Sequence, residues 1–193
     1  MARFVPAIQV LGCHLKERRA CPRIGERTRR PPLEATRGHD GVVPMSANFH
    51  LRRYRAEDED AAIALWLESW QQAYPSIDFA ARVAWWRERW RTELVPDAAI
   101  VVAEHSGALV GFVTIDGKGY LDQLVVAPDH WGSALATMLV SEAKRISPDK
   151  ITLLVNTDNT RAIRFYARNG FVHAGADVNP ISGRPVLKME WKG

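Results

Sequence analysis

Along residues 49–193 the apolar positions fall into runs of two different periods, and each change of period predicts where a strand gives way to a helix. Phe49-His50-Leu51-Arg52-Arg53-Tyr54 alternates as a strand does, and Glu57-Asp58-Glu59-Asp60 then places acids where the start of a helix is electropositive. From Ala61 the apolar positions Ile63, Trp66, Leu67, Trp70 and Tyr74 recur at helical spacing until Pro75 ends the run. A second helix is predicted over about 78–92, with Val83, Trp86 and Trp90 on one face.

The period then shortens. Ala99 to Glu104 and Ala108 to Ile115 are rich in β-formers and are joined by His105-Ser106-Gly107, which predicts a hairpin. Asp116-Gly117-Lys118-Gly119 turns the chain again into Tyr120 to Val126, so three antiparallel strands stand in a row. After Pro128 the spacing is helical, with Leu135, Met138, Leu139 and Ala143 on one side and Lys144-Arg145 at the C-terminal end. Ile151 to Val155 is continuously apolar, as expected of a strand covered on both faces. Asp158 to Asn169 reads as a helix stopped by Gly170, and Phe171 to Val178 and Val186 to Trp191 as the last two strands. The order β-α-α-β-β-β-α-β-α-β-β predicts an α+β fold, a mixed sheet with helices on its faces. It disfavours a purely parallel nucleotide-binding sheet, and Gly117 and Gly119 make no dinucleotide fingerprint because no helix follows them.

Charge changes the picture only at the N-terminus. The 193 residues carry a formal +4, but residues 1–44 hold nine Lys and Arg against four Asp and Glu, and the remainder is close to neutral. The basic balance therefore belongs to an Arg-rich leader with many breakers and little periodicity, which reads as disordered. It lacks the apolar stretch of a secretory signal, and Met45-Ser46 directly before the first patterned segment suggests a start at Met45. Its two cysteines, Cys13 and Cys21, do not have the short spacing of zinc modules, so no metal is expected. No apolar run reaches the length of a membrane span. The expectation is a domain at 45–193 in the cytoplasm, with neither membrane nor nucleic acid as a partner.

Two constellations carry candidate chemistry. In Leu121-Asp122-Gln123-Leu124-Val125-Val126-Ala127-Pro128-Asp129-His130-Trp131-Gly132-Ser133-Ala134-Leu135-Ala136 a strand enters a loop of small residues and then a helix N-terminus. Unpaired amides and the helix dipole attract anions there, and small side chains let a phosphate approach the backbone. An ordinary strand-to-helix turn fits the same residues. The second runs Asn156-Thr157-Asp158-Asn159-Thr160-Arg161-Ala162-Ile163-Arg164-Phe165-Tyr166-Ala167-Arg168-Asn169-Gly170-Phe171 and gathers Asn159, Ala162, Phe165 and Tyr166 near one helix face. Taken alone it also fits a capped amphipathic helix.

In this order and spacing the pair resembles the GNAT superfamily of N-acetyltransferases. That family's coenzyme A motif runs from a strand and Pro into Gln/Arg-x-x-Gly-x-Gly/Ala, then to a helix with Asn-x-x-Ala-x-x-Phe-Tyr-x-x-x-Gly-Phe. Asn159, Ala162, Phe165, Tyr166, Gly170 and Phe171 match the second half at every fixed position. In the first half Trp131-Gly132 stands where Gln-Arg or Arg-Gly is usual, and Ala134 replaces a Gly. The resemblance implies a mostly antiparallel twisted sheet with a central splayed parallel strand pair and helices on both faces. It implies acetyl-CoA as cosubstrate, with the pantetheine arm in the gap against the backbone of Leu124, Val125 and Val126. The phosphates would rest on Trp131, Gly132, Ser133, Ala134, Leu135 and Ala136. Asn159 would bond the pantetheine or a backbone carbonyl, and Tyr166 would direct its hydroxyl to the thioester sulfur.

The implied reaction is acetyl transfer to a primary amine of a small molecule or peptide by direct attack in a ternary complex. It needs a neutral amine, a stabilised oxyanion and a protonated leaving thiolate. Tyr166 is the candidate acid. Asp122 is the nearest candidate base, with a partly exposed salt-bridged carboxylate or a water relay as the competing readings. Trp66, Trp70, Tyr74, Trp85, Trp86 and Trp90 are mostly core by number. The resemblance puts their helices beside the acceptor cleft, where Trp70 and Tyr74 are the chosen substrate contacts. It also leaves a homodimer open. The competing function is a non-catalytic acetyl-CoA sensor or structural module. A nucleic-acid-binding role for the leader predicts binding that weakens steeply with salt.

Overall fold

The computed structural model describes residues 48–179 and 183–193. The readings made for residues 1–44, their disorder, their cysteines and the start at Met45, lie outside the described residues.

The expected order is present. It runs β1 (His50–Arg53), α1 (Glu59–Ala73), α2 (Val83–Arg89), the single turn α3 (Val95–Asp97), β2 (Ala98–His105), β3 (Ala108–Asp116), β4 (Leu121–Val126), α4 (Leu135–Ile146), β5 (Lys150–Asn156), α5 (Thr160–Arg168), β6 (Val172–Val178) and β7 (Pro185–Lys192). The second helix differs from its expected 78–92. It is a composite that starts as a 3-10 turn at Ala80–Arg82, widens to a π turn at Trp90–Leu94 and ends in α3. Pro96 supplies no amide to an ordinary α ladder, and the turn before it is the one that widens.

β1-β2-β3-β4 form one antiparallel sheet and β5-β7-β6 another. The two meet where β4 and β5 begin side by side in parallel, at a single bridge between Tyr120 and Thr152. Apolar side chains alternate between two cores along these strands. Leu124 and Val126 join a cluster with α4 and α5, and Val125 joins the aromatic cluster of α1 and α2. Helices therefore cover both faces. In the aromatic cluster Trp66 stacks on Trp86 at 4.8 Å between ring centroids, and Trp86 and Trp90 are fully buried. Each such ring removes roughly 150–250 Å² from water, which makes these three tryptophans core. Trp85 faces solvent, and Trp70 and Tyr74 are half-buried at the C-terminal end of α1.

Candidate active site

The parallel pair separates because of backbone accounting at its two ends. At the closed end the amide of Thr152 donates to the carbonyl of Gly119 at 2.8 Å. Gly119 has φ +77°, and a Cβ there would overlap the carbonyl oxygen of Lys150, so only glycine lets the chains come this close. Immediately afterwards β4 bulges. Thr114 pairs with Gln123 and Ile115 with Leu121, which leaves Asp122 as an extra residue on β4.

Beyond the bulge the free edge of β4 turns toward β5. The amide of Ala127 donates to Val110 of β3 at 2.8 Å, so alternation along the strand points the backbone groups of Leu124 and Val126 away from β3, into the gap. Val125 by contrast turns its backbone to β3 and its side chain into the aromatic cluster. The carbonyl of Val126 has no strand partner across the gap. It accepts instead from Trp131 Nε1 at 2.7 Å and from Ser69 Oγ at 3.1 Å. Trp131, which departs from the family pattern, therefore satisfies a carbonyl that would otherwise seek β5.

The loop after β4 makes a 3-10 turn at Pro128–His130 and reaches α4 through Gly132, Ser133 and Ala134, all exposed. Gly132 has φ +88°, and a side chain there would meet nothing within 4 Å, so the turn is open at this position. Ser133 Oγ donates to the His130 carbonyl at 2.7 Å and accepts from the Leu135 amide at 3.2 Å. The next amides of the first turn, including that of Ala136, lack intrahelical acceptors, as at any helix start.

Tyr166 belongs to the core that β4 and β5 share. It is fully buried in the same core cluster as Leu124 and Val126 of β4 and Leu153 and Val155 of β5, between Phe165 and Phe171. Its hydroxyl has no hydrogen-bond partner among the described residues. Burial, with a smaller contribution from Tyr120, raises its pKa well above that of free tyrosine, so it holds its proton through the neutral range. An unpaired hydroxyl in a core costs about 1–3 kcal/mol. Asn159 caps α5, its Oδ1 accepting from the Ala162 amide at 3.0 Å, and the helix starts at Thr160 rather than Asp158.

Asp122 is buried, not partly exposed. Arg89 of α2 meets both carboxylate oxygens, at 2.6 and 3.2 Å, and Gln123 Nε2 donates to Oδ1 at 2.7 Å. Arg89 is itself 4% exposed and also binds Glu93 at 3.0 Å. The carboxylate is thus committed to a buried ion pair that ties the bulge to α2.

Near the open end of the gap, α1 has contacts with both strands. Ser69 reaches β4, and Tyr74 reaches β5, where Asn156 Nδ2 donates to its hydroxyl at 3.5 Å. Trp70 packs on Tyr74 and Phe79, and Arg184 lies over the Tyr74 ring at 5.8 Å. Sequence reasoning gave no role to Ser69, nor to Asn156, which opens the second constellation. Asn156 did carry a signal as the polar end of an apolar strand, whereas Ser69 is an ordinary polar helix residue until the fold places it.

These features fit coenzyme A by their own chemistry. They comprise a strand edge without a partner, an open glycine turn at a helix N-terminus and a buried unpaired hydroxyl. Among the described residues no helix is long and apolar enough to cross a membrane.

Comparison with known proteins points the same way. The family model described as Acetyltransferase (GNAT) family matches residues 59–171. The peptidyl-lysine N-acetyltransferase YjaB of Salmonella typhimurium is 31% identical over 71% of the chain and 92% of its own length. A mycothiol acetyltransferase of Sanguibacter keddieii is also 31% identical, but only 48% of its length is covered. Among solved structures, the coenzyme A complex of the PaiA N-acetyltransferase of Thermoplasma acidophilum matches with TM-score 0.61 at 22% identity, over 76% of this chain and 99% of its own. Apo YjaB of Escherichia coli matches with TM-score 0.61 at 27% identity, with the same coverage.

Proposed function

The chain belongs to the acetyltransferase (GNAT) family and is an acetyl-CoA-dependent N-acetyltransferase; we propose that its acceptor is the ε-amine of a lysine in a peptide and that Tyr166 is its general acid. The acceptor class is supported by the similarity to a peptidyl-lysine N-acetyltransferase over nearly that protein's whole length. The role of Tyr166 rests on one observation, a fully buried hydroxyl without a hydrogen-bond partner among the described residues, in the core that β4 and β5 share.

Acetyl-CoA, when bound, supplies the acetyl group as an activated thioester. Leu124 and Val126 offer backbone donors along the gap, one of them to the acetyl carbonyl oxygen. Gly132, Ser133, Ala134 and Ala136 form the turn that would hold the phosphates, with Trp131 and Leu135 as its packed flanks. Asn159 keeps α5 capped through its Oδ1, which leaves its Nδ2 to reach the pantetheine. Tyr166 holds its proton at Oη because burial disfavours the phenolate; it would protonate the departing sulfur and regain a proton from solvent, which takes the one the acceptor loses. Trp70 and Tyr74 wall the acceptor's approach.

The acceptor nitrogen must be neutral to attack. Asp122 is bound through both oxygens by Arg89 and Gln123, so we assign it a positioning role and give the acceptor's proton to water.

Calorimetric titration with acetyl-CoA, followed by thiol release with the peptide acetyl-Gly-Lys-Gly-amide, tests this reading. Tyr166→Phe should bind acetyl-CoA as the wild type does and turn over about 100-fold more slowly. Undiminished turnover in the variant would remove Tyr166 as the acid. Acetyl-CoA binding without acetylation of the peptide would remove lysine as the acceptor.

A further inference from the structure

β5 ends in a polar residue that the mechanism above does not use. Ile151, Leu153 and Val155 face the α4 and α5 core, so alternation turns Thr152, Leu154 and Asn156 to the opposite face, where Tyr74 at the end of α1 meets Asn156. Leu154 packs there with Val186 and Tyr120. Asn156 lies four residues beyond the bridge at Thr152, roughly 13 Å along the strand and at the open end of the gap.

Asn156 is 6% exposed, and its Oδ1 is buried without a hydrogen-bond partner among the described residues. Its Nδ2 is directed to the Tyr74 hydroxyl at 3.5 Å, which orients the amide and leaves the carbonyl oxygen as the free end. A buried amide oxygen without a donor costs about 1–3 kcal/mol. The group that repays this cost must be an N–H or O–H donor arriving between α1 and the end of β5. Trp70 and Tyr74 bound this approach on one side, and the gap that exposes Leu124 and Val126 lies on the other.

We infer that Asn156 Oδ1 accepts a hydrogen bond from an N–H of the acceptor amine and orients the nitrogen lone pair toward the gap. The inference rests on the N-acetyltransferase reading and extends it to the acceptor subsite. Tyr74 is then a positioning residue that acts through Asn156, since its hydroxyl fixes which end of the amide meets the amine. A neutral amide suits this position because it binds the neutral amine without favouring the unreactive ammonium form. A carboxylate in the same place would favour the ammonium.

The decisive measurement is steady-state kinetics of the full chain with acetyl-Gly-Lys-Gly-amide as the probe amine, alongside calorimetry with acetyl-CoA. Asn156→Ala should raise the KM for the peptide about tenfold with the acetyl-CoA affinity unchanged. Asn156→Asp keeps an acceptor oxygen, so it should restore peptide binding while moving the alkaline rise of kcat to higher pH, a shift that a purely structural role does not produce. An unchanged peptide KM in Asn156→Ala, or equal losses in peptide and acetyl-CoA binding, overturns the inference. A wild type that binds acetyl-CoA but leaves the peptide unacetylated overturns the lysine reading and the assignment together. If the wild type acetylates it and the Asn156 variants do so equally well, only the assignment falls.

Discussion

The two ends of the β4–β5 seam are built by opposite means. At the closed end, backbone meets backbone. Gly119 permits the approach, the Thr152 amide bonds the Gly119 carbonyl, and the buried Arg89–Asp122 pair pins the bulge that follows. At the open end, side chains substitute for the missing strand. Trp131 and Ser69 occupy the Val126 carbonyl, and Tyr74 holds Asn156. A gap between neighbouring strands is therefore not made by bulk. It is made by giving one polar group a different partner while the next ones stay open for a ligand. Changes at the closed end should accordingly cost stability, and changes at the open end should cost ligand binding.

The largest effect should come from Asp122→Ala. It leaves the Arg89 guanidinium, 4% exposed, facing an empty site, and breaking a buried pair by removing one partner typically costs roughly 3–5 kcal/mol. Glu93 and the Trp86 face still hold Arg89, which places the expectation at the lower end. Urea denaturation would measure it. The double change Asp122→Leu with Arg89→Met should recover most of the loss, because two apolar residues leave no charge unpaired. If the double variant folds stably yet acetylates at a small fraction of the wild-type rate, Asp122 has a role in the reaction beyond anchoring the bulge.

Gly119→Ala comes next. It forces a side chain into a left-handed backbone conformation and into the Lys150 carbonyl, for a combined cost of roughly 2–4 kcal/mol. The loss should appear in the urea midpoint. Any fall in acetyl-CoA affinity should track the fraction unfolded, because this residue touches the hinge of the gap and not its mouth.

Much of this contrast was legible in the sequence, and what was not has physical reasons. The strand and helix order followed from period alone, and the run from Asn159 to Phe171 located the helix that carries Tyr166. The bulge at Asp122 was invisible, because a run such as Leu121 to Val126 looks the same with or without an extra residue. The partner of Asp122 was equally hidden. Arg89 lies 33 residues away on a helix whose charged positions read as solvated. Trp131 misled for another reason. Set against the family pattern it reads as a lost polar contact, but its indole N–H is a donor, and only the fold shows that Val126 is within its reach.

Trp131→Phe gives the smallest expected change in stability and the sharpest separation between the two ends. Phenylalanine keeps most of the packing against the α4 core and removes only the Nε1 donor. The Val126 carbonyl retains Ser69 Oγ at 3.1 Å, so the loss in folding stability should be about 1 kcal/mol. The carbonyl then has a free lone pair facing β5, where an amide would satisfy it if the strands drew together. Narrowing of the gap should weaken acetyl-CoA binding several-fold, more than the stability change alone accounts for. Calorimetric affinity measured beside the urea midpoint separates the two effects. A Trp131→Phe variant that binds acetyl-CoA like the wild type would mean that the splay is held by the bulge and Ser69 without the indole. In that case the closed end governs the gap, and the division of labour along the seam disappears.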